Sequence, residues 1–133
     1  MSVNVSAPEP RVRPGSVLVV DDSAYARLRL RRFLSEYGCA RVIEAADGDE
    51  ALAAYDRERP DLVISDHVMR GKDGIEVARL LRERDGSARI VMLTVISDHE
   101  VHARALRAGV LKVLVKGDFD GLSQLLRQEL AHA

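Results

Sequence analysis

The sequence predicts an α/β fold: a doubly wound, five-stranded parallel sheet in the order 2-1-3-4-5, with helices on both faces. Three observations predict it. Short apolar runs alternate with segments of helical period five times over. The runs are continuously apolar rather than alternating, as in strands covered on both faces. A closed barrel needs eight such units, whereas five suit an open sheet whose switch point lies between strands 1 and 3.

Each element has a local reason. Ser16–Val20 is a short run rich in valine, and Ser23 is placed to cap a helix with apolar residues at Ala26, Leu30, Phe33, Leu34 and Tyr37. Gly38 suits the position just past that helix. Arg41–Ala45 is the second strand. Asp47 opens a helix carrying Ala51, Leu52 and Tyr55, stopped before Pro60. Leu62–Ser65 is the third strand, followed by a helix from about Asp73 to Arg84 bearing Ile75, Ala78 and Leu81. Ile90–Leu93 is the fourth strand. Asp98 caps a helix with Val101, Ala105 and Ala108 that Gly109 ends. Val110–Val115 is the fifth strand, and a last helix runs from Asp118 to Ala131 with Leu122, Leu125, Leu126 and Leu130 on one face. Residues 1–14 hold three of the four prolines and no apolar period, so they read as a disordered tail before a single domain at 15–133.

Bulk properties exclude several classes. The net charge of -1 gives no general pull toward nucleic acid or a membrane surface. Cys39 is the single cysteine, which rules out an internal disulfide and fits a reducing cytoplasm. No apolar run approaches the roughly 20 residues that span a bilayer, and the first residues lack a signal-peptide core.

The chemistry gathers at the carboxyl ends of the strands. Asp21 and Asp22 follow the first strand, Asp66 the third, Thr94 the fourth and Lys116 the fifth. The switch-point rule brings the first and third ends together. Three crowded carboxylates raise one another's pKa values, and a divalent cation resolves the conflict. With oxygen ligands and no His/Cys set, Mg2+ is the natural ion. A lysine supplies a point charge for a phosphate, and a threonine hydroxyl can donate to one of its oxygens. Such a set makes a phosphoryl-transfer site with Asp66 as the nucleophile.

With these residues in place, the chain resembles the response-regulator receiver domains of bacterial two-component signalling, a flavodoxin-like fold shared with chemotaxis regulators. The resemblance rests on Val17-Leu18-Val19-Val20-Asp21-Asp22-Ser23, Pro60-Asp61-Leu62-Val63-Ile64-Ser65-Asp66, Asp73-Gly74 and Ala105-Leu106-Arg107-Ala108-Gly109, and it covers residues 16–131. It implies that Asp66 accepts a phosphoryl group from a histidine kinase or phosphotransfer protein. It implies that Asp22 and Asp66 ligate Mg2+ directly, Asp21 mainly through water, and Val68 through its backbone carbonyl. Thr94 and Lys116 would hold the phosphoryl oxygens and convey the change to a downstream protein target.

Four positions depart from the family pattern. Arg70 stands where a proline is usual, four residues after Asp66. Gly117 replaces the proline after the lysine. Val95 replaces a small residue after the threonine, and is expected to crowd the site. Val113 replaces an aromatic switch residue, so the usual coupling from threonine to aromatic is missing.

Other residues have plainer readings. His67 reads as a loop side chain tuning access to Asp66. His99 and His102 share a helix face, an exposed polar surface without a third metal ligand. Arg27, Arg29, Arg31 and Arg32 make the first helix basic, a solvated face or a kinase-docking surface; no base-reading motif accompanies them. The expected protein is a stand-alone, cytoplasmic phospho-receiver, monomeric or weakly dimeric, that inserts in no membrane and is not an enzyme. Its rivals are a phosphorylation-independent scaffold and a small Mg2+-dependent phosphatase. The haloacid-type phosphatases want a second aspartate where Val68 stands, and a flavin carrier wants a phosphate loop where Asp21 and Asp22 stand.

Overall fold

The structure is a computed structural model that describes residues 15–96 and 98–130. The expected tail at 1–14 and the end of the last helix at Ala131 lie outside the described residues. Five strands and five helices alternate: β1 (Ser16–Val20), α1 (Ala24–Tyr37), β2 (Arg41–Ala45), α2 (Gly48–Glu58), β3 (Leu62–Asp66), α3 (Gly74–Arg84), β4 (Ile90–Thr94), α4 (His99–Arg107), β5 (Lys112–Val115) and α5 (Phe119–Leu130). All pairings are parallel and the spatial order is β2-β1-β3-β4-β5, as expected.

Side chains alternate across a strand, and that alternation sorts the core into two layers. Val17, Val19, Leu62, Ile64, Val91 and Leu93 face α1 and α5, where Leu30, Leu34, Leu122 and Leu126 are buried. Leu18, Val20, Val63, Ile90 and Met92 face α2, α3 and α4, against Leu52, Tyr55, Leu81 and Ala105. Every residue of β3 and β4 is buried. The edge strands are not covered to that degree: β2 and β5 each keep residues in solvent.

The helix starts follow their caps. Ser23, Asp47, Asp73 and Asp98 each accept a backbone N–H of the first turn, from Ala26, Glu50, Glu76 and Glu100. A cap of this kind is worth about 1 kcal/mol. Gly38 ends α1 at φ 112, where its N–H reaches the carbonyls of Leu34 and Ser35.

Three expectations need correction. The fifth strand starts at Lys112, not Val110: Gly109 turns at φ 100, and Val110 is buried in that turn before the ladder begins. On α3 the buried face is Val77, Ala78 and Leu81, with Ile75 only partly covered, because the helix starts at Gly74 and its inner stripe falls one residue off the Ile75 register. Ala108 caps α4 instead of lying within it.

Candidate functional site

The five parallel strands deliver their carboxyl ends to one rim. β1 and β3 are direct neighbours, with Val20 opposite Ser65, so Asp21 and Asp66 emerge side by side. One carboxylate oxygen from each of Asp21, Asp22 and Asp66 lies within 4.8 Å of the others. Asp21 is buried and Asp66 is 9% exposed, while Asp22 is half-buried at the opening.

Lys116 comes in from the edge. Its Nζ is 2.9 Å from Asp21 Oδ2 and 3.0 Å from Asp66 Oδ2. The second oxygens are held by backbone. Asp21 Oδ1 accepts the Ser23 N–H at 2.9 Å, and Asp66 Oδ1 accepts the His67 N–H at 2.9 Å. Asp22 Oδ2 accepts the Arg70 N–H at 3.3 Å, and the Arg70 Nε is 3.7 Å away on a side chain that is otherwise in solvent. Arg70 thus supplies a positive charge at the mouth where a proline was the usual residue.

The electrostatics follow. Burial is the largest influence on Asp66 and pushes its carboxyl above the ordinary value; the Lys116 hydrogen bond pulls it down and the Asp21 charge pushes it up again. For Lys116, burial alone favours the neutral amine, but the hydrogen bonds it donates to Asp21 and Asp66 outweigh that and hold the ammonium above its ordinary value. Three acids against one lysine leave the cluster negative. Oxygen donors at this spacing, with no sulfur or imidazole among them, fit a hard divalent cation such as Mg2+. His99 is exposed and His102 is half-buried on α4.

Thr94 ends β4 on the same rim, as expected. It is 2% exposed at the rim, but its Oγ1 accepts the Ile96 N–H at 3.0 Å and stands 3.0 Å from His67 Nδ1. His67 is likewise buried, at 6% exposure, and is no access-tuning loop side chain. Its backbone N–H is shared between Leu93 O and Asp66 Oδ1, which fixes the chain at that point. No period or motif in the sequence marks this contact.

The loop after β3 is closed by Gly74. Its N–H donates to His67 O at 2.7 Å, and a Cβ there would lie 2.2 Å from the Asp66 carbonyl oxygen. Val68, on that loop, is exposed.

The other departures resolve in distinct ways. Val95 is 76% exposed, so its side chain does not crowd the carboxylates; it borders a cavity of about 170 Å3 shared with Leu93, Lys116 and Phe119. Val113 is half-buried and packs on the α2–α3–α4 side of the sheet. Gly117 has φ 97, and no cis peptide bond occurs among the described residues. The basic surface of α1 is partly neutralised: Arg27 and Arg31 both pair with Glu44, and Arg27 also donates to the Asp21 carbonyl. Arg29 lies over the rings of Tyr25 and Phe119.

Known proteins share this arrangement. The family model of the response regulator receiver domain matches residues 17–127. The chemotaxis protein CheY of Bacillus subtilis is 33% identical over 100 residues, which is 75% of this chain and 83% of that protein. Among solved structures, the CheX–CheY–BeF3–Mg2+ complex of Borrelia burgdorferi superposes with a TM-score of 0.82 at 29% identity, covering 86% of this chain and 88% of that one. The response regulator TrrA of Thermotoga maritima, solved with Mg2+ and beryllofluoride, gives a TM-score of 0.79 at 34% identity over 86% of this chain and 98% of its own. Matched by that family model over residues 17–127 and built on the sheet order β2-β1-β3-β4-β5, this chain belongs to the response regulator receiver domain family.

Proposed function

We propose that this protein is a phospho-receiver: Asp66 accepts a phosphoryl group from a histidine kinase or phosphotransfer protein, and the change is read as an altered protein–protein contact. The observation that carries this reading is Lys116 bridging Asp21 and Asp66 within a cluster of three carboxylates. An Asp66 oxygen attacks phosphorus, the bond from phosphorus to the donor nitrogen or oxygen breaks, and the leaving group departs with that bond's electron pair. Lys116 stabilises the charge gathered on the phosphoryl oxygens, as a positioned cation does. Asp22 and Asp66, with the Val68 carbonyl and with Asp21 through water, are the residues that would hold Mg2+, which when bound neutralises phosphoryl charge. The protein's work is then signalling; turnover is limited to its own phosphorylation and dephosphorylation.

The docking face for the donor is α1. With Arg27 and Arg31 engaged by Glu44, the groups left to meet a partner are Tyr25, Leu28, Arg29 and Arg32. Among the described residues no helix is long and apolar enough to cross a membrane.

Intact-mass analysis after incubation with Mg2+ and a small acyl- or amidophosphate tests the reading. One phosphoryl adduct is expected, absent from Asp66→Asn. No adduct on the wild type, or one that persists in the variant, would replace this reading with that of a phosphorylation-independent scaffold.

A further inference from the structure

Thr94 Oγ1 and His67 Nδ1 stand in hydrogen-bond contact at 3.0 Å, and the contact has a consequence for how the site reports its state. A hydroxyl carries one hydrogen and two lone pairs. One lone pair of Thr94 Oγ1 takes the Ile96 N–H, and His67 Nδ1 stands 3.0 Å from the same oxygen. Two arrangements satisfy that contact. Thr94 donates to an Nδ1 whose ring carries its hydrogen on Nε2, or an Nδ1–H donates to Oγ1 and frees the hydroxyl hydrogen for another acceptor. Both side chains are buried, so leaving two lone pairs facing each other is costly. The ring tautomer and the direction of the Thr94 hydrogen are therefore locked together.

Register brings this pair beside the acceptor. Asp66 pairs with Leu93 across β3 and β4, so His67 and Thr94 are the next residues on the two strands. A phosphoryl group on Asp66 would add acceptor oxygens at that rim. Val113 offers no polar atom to take part, and among the described residues the side-chain partner of Thr94 is His67.

We propose that His67 is a positioning residue for Thr94: in the unphosphorylated site Thr94 donates to His67 Nδ1, and on phosphorylation its hydrogen turns to the phosphoryl group while His67 moves its own hydrogen to Nδ1 to keep the contact. The ring keeps its net charge; one N–H bond is exchanged for the other through solvent. His67 thus carries the state of Asp66 away from the acceptor by a route that needs no aromatic residue at position 113. The proposal rests on Asp66 being the acceptor.

The test uses the full chain labelled with 15N-histidine, with Mg2+ alone and with Mg2+ plus beryllofluoride. Two-bond 1H–15N spectra distinguish the Nδ1–H and Nε2–H rings, and 19F spectra report whether beryllofluoride is bound. The expected result is Nε2–H with Mg2+ alone and Nδ1–H with beryllofluoride bound. Thr94→Val should abolish the dependence on beryllofluoride. His67→Phe removes the contact from both states and takes away the acceptor that competes for the Thr94 hydrogen, so it should bind beryllofluoride at least as tightly as wild type; a several-fold weaker affinity would overturn the proposal. A bound 19F signal with an unchanged ring overturns this proposal alone. No bound signal overturns the acceptor reading and this proposal together.

Discussion

Lys116 Nζ sits 3.0 Å from Asp66 Oδ2 in the site without a phosphoryl group, and the same ammonium is 2.9 Å from Asp21. It therefore competes with any cation for the carboxylates while supplying the charge a phosphoryl group needs. Lys116→Met separates the two roles. Mg2+ affinity should rise several-fold, because a like charge has left the cluster. Phosphorylation by a small donor should slow at least about a hundredfold, the usual cost of losing a positioned charge. Mg2+ titration and an intact-mass time course read these in one preparation; weaker Mg2+ binding would contradict the competition. The Mg2+-free variant should also lose about 2 kcal/mol of stability, since two buried carboxylates lose their cation.

The pH dependence of stability follows from Asp66. Its carboxyl is held above the ordinary 3.8 in the folded protein, chiefly by burial. A raised folded pKa means that this group's contribution is full below the unfolded value and is lost as pH rises through the folded one. Ionised Asp66 thus weighs against the Mg2+-free fold at neutral pH. Asp66→Asn should melt higher than wild type at pH 7 in chelator, and the gap should close as pH falls toward 4. Equal midpoints across that range would show that burial does not hold the carboxyl up.

Gly117 makes its turn with φ 97, a conformation closed to proline and strained for any other L residue. A Cβ there would meet nothing within 4 Å, so Gly117→Ala pays for backbone conformation alone, about 1 kcal/mol. Gly117→Pro, which restores the family's usual residue, should instead cost more than about 3 kcal/mol and displace Lys116. Denaturant melts decide this, and a Gly117→Pro protein as stable as wild type would mean that the turn can be remade.

The sheet order and the acid cluster were legible because they depend on strand order and on residue type at strand ends. Leu62–Asp66 reads as buried, and the switch-point rule puts its end beside that of β1. What was not legible depends on side-chain direction. Nothing in the local pattern distinguishes a His67 turned inward to Thr94 from one turned to solvent. Val95 is largely exposed, because the β4–α4 loop leaves the sheet directly after Thr94. Arg27 and Arg31 read as free basic residues until β2 brought Glu44 beneath them.

Gly74 shows how closely the acceptor loop is built. A Cβ at this position would lie 2.2 Å from the Asp66 carbonyl oxygen and 3.1 Å from the His67 Cα, both backbone atoms that no rotamer change can move aside. Gly74→Ala must therefore shift the end of β3 or the start of α3. Overpacking of this kind costs about 3 kcal/mol. The shift also acts on function, since Asp66 moves relative to Lys116 and His67 relative to Thr94. Phosphorylation should slow by more than tenfold at a temperature where both proteins remain fully folded, because misplacing a reacting group by about 1 Å is worth that much or more. A Gly74→Ala protein that is destabilised yet phosphorylates at the wild-type rate would show that the strain is taken up by α3 and that the acceptor end of β3 stays where it is.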